Sequence, residues 1–260
     1  MSEYDRVAAC QFEPVVGGVD RNLESMARLL DSCSGVDLAV FPELCVTGYA
    51  LDVARERATE VPGLLTTRLA ALAAEHETAL VAGVPERADD GLYNSLVLVD
   101  GDGVQAVYRK QYPWGDETDV FREATDPVVA ETPLGRVGFL VCYDLNFPEA
   151  ALAYAREDCD VLVVSAAWRE SYCADWELLL RARALDGACY TVGVNHVGDQ
   201  RGRQHAGNSL VANPRGAVVS RADPGQVETI VTARVHRESI DHGRRLNPVH
   251  DTRTERANER

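Results

Sequence analysis

Short apolar runs alternate along the chain with segments in which apolar residues recur every three or four positions. The first pattern is typical of buried strands and the second of amphipathic helices. The runs predict strands at Arg6–Gln11, Leu38–Phe41, Thr78–Val84, Tyr93–Val99, Gln105–Tyr108, Arg136–Val141, Val161–Ser165, Tyr190–Asn195, Ser209–Ala212, Ala217–Ser220 and Thr229–Val235. The helical spacing predicts helices at Asn22–Leu30, Leu64–His76, Pro148–Arg156 and Asp175–Ala188, and Asp20 can cap the first of them.

Two turn signals indicate how these strands pair. Asp100–Gly103 and Asn213–Gly216 each separate two strand-like runs, which predicts two hairpins. Apolar strands alternating with helices favour an α/β fold in which helices cover the sheets, and the hairpins make those sheets mixed rather than purely parallel. No repeat or linker interrupts residues 1–260, so we expect a single domain, with residues 236–260 as a polar C-terminal tail.

One long segment lacks periodicity. Residues 110–133 contain Pro113, Trp114 and Gly115 and are predicted to form an extended loop with some helix. Loops of this length inside a compact domain usually carry function.

Composition and charge then exclude several classes of protein. The 260 residues are 46% hydrophobic and 26% charged, which is ordinary for a globular chain, and the net charge of −15 opposes binding to nucleic acid or to an anionic membrane. No apolar run approaches the ~18–20 residues that span a bilayer, and the acidic N-terminus lacks the features of a secretory signal. Seven scattered cysteines without a CxxC pair predict no zinc site. We therefore expect a cytoplasmic protein with reduced thiols and no nucleic-acid or membrane partner.

Three reactive side chains follow predicted strands, at the edge where α/β folds bind ligands. Glu43 follows the second strand, Lys110 a hairpin strand, and Cys142 the apolar strand that leads into the helix at Pro148. Each has a simpler interpretation: a capping carboxylate, a solvated surface charge and a buried structural thiol. However, Lys110 is the only lysine of the chain, and lysine offers a compact ammonium that arginine does not.

A cysteine nucleophile needs a partner because its thiol is mostly protonated at neutral pH. Of the six histidines, only His196 follows a strand, so a Cys142–His196 pair is open but weakly indicated. Glu43 as base with Lys110 as cation is the better-placed alternative.

These residues lie in motifs whose order along the chain resembles the nitrilase superfamily of carbon–nitrogen hydrolases. The resemblance runs from Ala8 to about Val235. It rests on Phe41-Pro42-Glu43-Leu44 with Thr47-Gly48-Tyr49, Tyr93-Asn94-Ser95-Leu96, Tyr108-Arg109-Lys110, Cys142-Tyr143-Asp144 with Phe147-Pro148-Glu149, Trp168, Arg181-Ala182-Arg183-Ala184, Asn195 and Gly207–Gly216. Two segments, Gln111-Tyr112-Pro113 and Asp186-Gly187, depart from the family pattern.

The resemblance implies a four-layer αββα sandwich, a homodimer or higher homo-oligomer, and hydrolysis without metal or cofactor. It also implies a Glu43–Lys110–Cys142 triad with Glu117 assisting. Glu43 takes the thiol proton, Lys110 and the backbone N–H of Tyr143 stabilise the oxyanion, and a thioester forms on Cys142.

The sequence indicates the substrate less precisely than it indicates the catalytic residues. Nitrile-cleaving relatives usually carry tryptophan after the nucleophile, whereas this chain has Tyr143, as amide-cleaving branches do. Small aliphatic amides or ω-amides of dicarboxylic acids are the first expectation, and N-carbamoyl compounds or nitriles are the alternatives. Trp114, Trp168 and Tyr172 either line the acyl pocket or pack in the core or an interface. A thiol acyltransferase and a non-catalytic binding protein on the same fold are alternatives of a different class.

Overall fold

The computed structural model of the protein describes residues 5–223, 226–247 and 252. The helices are α1 (Val19–Asp31), α2 (Leu51–Arg57), α3 (Leu64–His76), α4 (Pro148–Arg156), α5 (Cys173–Gly187) and α6 (Arg237–Leu246). The strands are β1 (Asp5–Gln11), β2 (Leu38–Val40), β3 (Ala79–Ala88), β4 (Gly91–Asp100), β5 (Gly103–Arg109), β6 (Val129–Thr132), β7 (Gly135–Val141), β8 (Val161–Ala166), β9 (Tyr190–Asn195), β10 (Val197–Gln200), β11 (Arg203–Ala206), β12 (Leu210–Ala212), β13 (Val218–Arg221) and β14 (Thr229–Val235).

The strands form two six-stranded sheets and one hairpin. The first sheet has the order β14-β1-β2-β3-β4-β5 and the second the order β13-β12-β9-β8-β7-β6, while β10 pairs with β11. In each large sheet three neighbouring strands are parallel, β1–β3 in the first and β7–β9 in the second, and every other pairing of neighbouring strands is antiparallel. The predicted mixed sheets are therefore confirmed.

The two-residue period of the strands explains the layers. On β1, Val7 joins the same apolar cluster as Phe139 of β7, while its neighbour Ala8 faces the other way. Ala8 belongs to a second cluster that includes Met26 of α1 and Leu69 of α3. Because successive strand side chains alternate between faces, the first sheet packs on the second sheet with one face and on helices with the other. Helices α4 and α5 cover the second sheet, which completes the predicted αββα sandwich.

Two expectations about the helices are wrong. Gly18, not Asp20, precedes α1, and Asp20 lies in the first turn, where its charge complements the helix dipole without a capping hydrogen bond. Part of the predicted polar tail is helix α6, whose Ile240 is fully buried and whose Arg237 and Arg244 pair with the buried Asp160. The sequence pattern of this segment is typical of a solvated tail, because Ile240 stands among charged residues. Asp160, the partner of the two arginines, is far away along the chain.

The remainder of the predicted tail, residues 248–251 and 253–260, lies outside the described residues. The single-domain expectation stays a prediction. Among the described helices, none combines the length and the apolar character needed to cross a membrane.

Candidate active site

Glu43, Lys110 and Glu117 meet in the interior beyond the ends of β2 and β5. The Lys110 Nζ lies 2.8 Å from Glu43 Oε1 and 2.8 Å from Glu117 Oε2, and the three side chains are at most 1% exposed. We call these three residues the charge cluster. Lys110 is therefore not a solvated surface charge, which was its simpler interpretation. An ammonium bridging two buried carboxylates costs less than an unpaired charge would, because each charge keeps a partner.

The Glu43 carboxylate is held by hydrogen bonds to both oxygens. Asn94 Nδ2 donates to Oε1 at 2.7 Å, and the backbone N–H of Ala167 donates to Oε2 at 2.9 Å. The turn that carries Glu43 lies directly on Gly83 of β3, where an added Cβ would come 2.1 Å from the Leu44 nitrogen. Glycine at this position thus permits the close approach that sets the Glu43 backbone.

Lys110 is kept as a cation by its surroundings. Burial by itself lowers its pKa, but the carboxylates of Glu117 and Glu43 raise it more, so the pKa of Lys110 lies well above its ordinary value. Its backbone N–H donates to the Asn94 carbonyl at 2.9 Å, which joins the end of β5 to the residue that holds Glu43.

Glu117 sits in the irregular segment predicted to be functional. It belongs to a 3-10 helix over Gly115–Asp119, and its Oε2 accepts the backbone N–H of Trp114 at 2.8 Å as well as Lys110. Tyr49 donates its hydroxyl to Glu117 Oε1 at 2.5 Å. Burial, followed by repulsion from Glu117 and Glu43, raises the pKa of Tyr49 well above its ordinary value, so the phenol stays a proton donor.

Cys142 follows β7 and opens a 3-10 helix over Cys142–Asn146. Its φ of +47° lies in the left-handed region, which is costly for a residue with a side chain and is common at functional sites. Asp144 holds this turn in place: it accepts the Val141 N–H at 2.9 Å, the Tyr108 hydroxyl at 2.7 Å and the Tyr112 N–H at 2.9 Å. The turn is therefore tied to the segment that follows Lys110.

The surroundings of Cys142 favour its protonated thiol. Burial raises its pKa well above the ordinary value and the charge of Glu43 adds to this, while Lys110 and the Ala167 N–H act in the opposite direction. A nucleophile with a raised pKa needs a base to remove its proton, and Glu43 is one of the charged groups acting on it. The N–H of Tyr143 lies in the first turn of the 3-10 helix, where backbone donors have no partner within the helix.

His196 does not have the position of a base for Cys142. Its Nε2 contacts the Glu43 carbonyl and its Nδ1 contacts the Gln200 amide nitrogen, an arrangement that suits a neutral ring donating from Nε2. Burial lowers the pKa of His196 to about 4, so the ring is uncharged at neutral pH. Through its contact with the Glu43 carbonyl, His196 supports the backbone of the turn that carries Glu43.

A cavity of about 290 Å³ opens over the cysteine. Its walls contain the three predicted aromatic residues and several polar groups: Trp114, Cys142, Tyr143, Asn146, Ala167, Trp168, Arg169, Tyr172 and Asp175. Trp168 also packs on Trp176 with ring centroids 5.4 Å apart, so its lining and packing interpretations both hold.

Several residues of this site were not assigned a role from the sequence. Asn94 and Asp144 lie inside the motifs that carried the resemblance, and their hydrogen bonds could have been suspected from their place beside Lys110 and Cys142. Tyr49 also lies inside a motif that carried the resemblance, but its partner Glu117 is 68 positions away. Arg169 lies outside those motifs, and no local pattern marks it.

Comparison with known proteins agrees with this arrangement. The family model for carbon-nitrogen hydrolases matches residues 6–245. A nitrilase of Pyrococcus abyssi is 32% identical over 98% of this chain and 98% of its own length, and Omega-amidase NIT2 of Xenopus tropicalis is 30% identical over 88% and 87%. The crystal structure of Saccharomyces cerevisiae Nit3, a member of branch 10 of the nitrilase superfamily, matches with a TM-score of 0.87 and 26% identity, covering 95% of this chain and 96% of that one.

The chain therefore belongs to the carbon–nitrogen hydrolases of the nitrilase superfamily, and it is an enzyme of that class. The family resemblance and the fold inferred from the sequence are both confirmed.

Proposed function

We propose that the protein is a thiol amidohydrolase that cleaves the C–N bond of a small linear amide to a carboxylate and ammonia. The observation that carries this proposal is the charge cluster, in which Lys110 bridges Glu43 and Glu117 at 2.8 Å beside the cavity over Cys142. It supplies a base, a fixed cation and a nucleophile at one place, which are the parts that acyl transfer needs.

In the first step Glu43 removes the thiol proton while the sulfur attacks the amide carbon, and the carbonyl electron pair moves onto oxygen. Lys110 has three N–H donors, of which two face the carboxylates, so one is left for the oxyanion. The Tyr143 N–H is the second donor. Because these groups are already oriented, they stabilise developing charge without reorganising.

In the second step the tetrahedral intermediate collapses. The C–N bond breaks, Glu43 returns its proton to the nitrogen, and ammonia leaves a thioester on Cys142. Water then loses a proton to Glu43 and attacks the thioester carbon, which releases the carboxylate and restores the thiol. Glu117 holds Lys110 and, through Trp114, the cavity wall during both halves of the reaction.

Two features favour an amide over the alternatives. The similarity to an omega-amidase supports amide cleavage, and Tyr143 rather than tryptophan follows the nucleophile. A nitrile or an N-carbamoyl substrate would use the same residues, and similarity to a protein named nitrilase keeps the nitrile as the second candidate.

Ammonia release tests the proposal. Propionamide, glutaramate, an N-carbamoyl amino acid and a simple nitrile are incubated with the wild type and with a folded Cys142→Ala control. We expect cysteine-dependent ammonia from the amides, and a mass increase equal to the acyl group on quenched wild type. Ammonia from the nitrile or the carbamoyl compound alone would transfer the proposal to that substrate class. Acyl hydroxamate formed with added hydroxylamine in place of the free acid would identify an acyltransferase.

We propose further that the chain forms a homodimer through its helix-covered face. Leu178 and Leu185 lie seven positions apart on α5, so they share a helix face, and they are 64% and 40% exposed. Sedimentation equilibrium measures the assembly, and a monomer at micromolar concentration would contradict this.

A further inference from the structure

Arg169 is the one cationic side chain among the described residues that line the Cys142 cavity. It follows Trp168 just beyond the end of β8, so it reaches the cavity from the same sheet edge as the nucleophile. The side chain is neither fully buried nor fully exposed. A substrate whose carbonyl lies at Cys142 therefore extends toward a guanidinium.

The Arg169 guanidinium lies over the ring of Trp114. Its central carbon lies 4.5 Å from the centre of the Trp114 ring, and the backbone of Trp114 is fixed by its hydrogen bond to Glu117. The Arg169 backbone bridges to His205, which anchors the other end. Stacking occupies the face of the guanidinium and leaves the N–H groups in its plane free to donate.

No carboxylate within the described part of the chain forms an ion pair with Arg169. By contrast, the half-buried Arg109 pairs with Glu86 and the buried Arg183 pairs with Asp186. An arginine that is oriented, half-buried and unpaired in a substrate cavity has an open position for an anion, because two parallel N–H donors match the oxygens of a carboxylate.

We propose that Arg169 binds a carboxylate at the far end of the acyl group, so that the substrate is the monoamide of a small dicarboxylic acid. This inference rests on the proposed amidase function and assigns the specificity of that same site. A cavity of about 290 Å³ at the small end of ligand sites suits a short acyl chain of this kind. The neutral Asn146 amide on the cavity wall adds no charge that opposes an anion.

The other charged groups nearby are compatible with this assignment. Asp175 lines the cavity but is exposed, so water screens its charge. Asp116 and Arg203 line a separate cavity of about 100 Å³ on the other side of Trp114 and Arg169, and their opposite charges offset each other there. Arg203 does not line the Cys142 cavity, so it provides a matched control.

The test varies the length of the monoamide and, for the five-carbon chain, the group at the far end. Rates of ammonia release are measured for succinamate, glutaramate and adipamate, for valeramide as a neutral analogue of glutaramate, and for 4-aminobutyramide as a cation. The readout is the ratio of kcat/KM for the best monoamide to that for its neutral analogue, because changes in the Cys142 chemistry cancel in that ratio.

We expect the wild type to prefer one monoamide to its neutral analogue. Arg169→Met lowers this ratio by roughly 10- to 100-fold, the range for a hydrogen-bonded charge, mainly through KM because the carboxylate is bound equally in ground and transition states. Arg169→Lys restores part of the ratio, since it keeps the charge without the fork. Arg203→Met leaves the ratio within about twofold, because Arg203 lines the neighbouring cavity and not the one over Cys142.

Three results would overturn the assignment while leaving the amidase proposal intact. They are an equal rate for valeramide and glutaramate in the wild type, a preference for 4-aminobutyramide, and an equal loss of the ratio in Arg203→Met. If no substrate releases ammonia, the amidase proposal fails on its own. Calorimetric titration of Cys142→Ala with glutaramate and valeramide then still decides the inference, since absence of tighter glutaramate binding contradicts it.

Discussion

The two sheets contribute two different kinds of surroundings to the active site. The first sheet supplies Glu43 and Lys110, which are sealed from solvent and paired with each other, and Asn94 and the Ala167 N–H also donate to Glu43. The second supplies Cys142 and Arg169, which face a cavity. A residue in the left-handed region is found in both turns, Leu44 after Glu43 and Cys142 itself, so backbone strain does not distinguish the two regions. The difference is one of solvent and charge pairing: buried charges are paired with each other in the first region, while the thiol and an arginine without an ion-pair partner line the open cavity in the second.

The largest effect is expected from changing the cation of the first region, Lys110. Lys110→Arg keeps the charge but places a larger planar group between two carboxylates that are fixed to a compact ammonium. We expect the turnover number to fall by roughly 10³-fold or more, because an oxyanion donor is lost together with the geometry of Glu43.

The matched control for that variant is Arg109→Lys. Arg109 precedes Lys110 and pairs with Glu86 outside the charge cluster, so we expect little change in turnover. Circular dichroism and thermal melting check that Lys110→Arg is folded. Near-wild-type turnover of folded Lys110→Arg would rule out the proposed role of the lysine.

The second prediction is that the two regions respond to acid with opposite sign. Burial, with the nearby His196, lowers the pKa of His205 behind the Glu43 turn to about 3. Burial raises the pKa of Asp144 behind the Cys142 turn to about 6. In the unfolded chain the pKa values are about 6.5 for the histidine and about 3.9 for the aspartate. Between its folded and unfolded pKa, each group binds a different number of protons in the two states: the folded protein binds fewer at His205 and more at Asp144.

The consequence follows from proton linkage. The contribution of His205 to stability is present above its unfolded pKa and declines as the pH falls toward its folded pKa. The contribution of Asp144 is present at acid pH and is lost as the pH rises through about 6. Each group changes the free energy of unfolding by up to about 1.4 kcal/mol per pH unit within its window.

Two variants separate these contributions. His205→Phe keeps a buried ring next to Tyr49 without a titrating group, so its stability falls less than that of the wild type on acidification. Asp144→Asn removes the opposing contribution, so its stability falls more steeply. Urea denaturation at a series of pH values between about 6.5 and 4 measures the slopes, and equal slopes in all three proteins would contradict the assignment.

The smallest effect is expected from Tyr49, whose hydroxyl donates to Glu117 of the charge cluster. Tyr49→Phe removes the hydroxyl that donates to Glu117. It leaves the aromatic ring and the ion pair between Lys110 and Glu117 in place. We expect kcat to fall by about tenfold, the size of one lost hydrogen bond to a charged group, with KM nearly unchanged. Stopped-time ammonia assays measure both constants. An effect on KM alone would assign Tyr49 to substrate binding rather than to positioning Glu117.

Local patterns account for much of what the sequence predicted correctly. An apolar run followed by a reactive side chain marks a strand end within a few residues, so Glu43, Lys110 and Cys142 could be placed at sheet edges. Helices α3 and α4 have the predicted bounds for the same reason. Helix α2 and the β10–β11 hairpin were not predicted, because they are short and lack an apolar period. The expectation that residues 110–133 form only loop and helix is wrong at its end, where Val129–Thr132 is the short strand β6.

The family, the helix-covered mixed sheets and the three residues on which the proposed chemistry depends could be inferred from the sequence alone, since each is encoded by a short motif or a local period. Which side chains meet became visible only in the folded structure. Tyr49 reaches Glu117 across 68 positions, His196 reaches the Glu43 carbonyl across 153, and Arg169 stacks on Trp114. Contacts between remote segments leave no period in the sequence, because they arise only when packing of the two sheets brings those segments together.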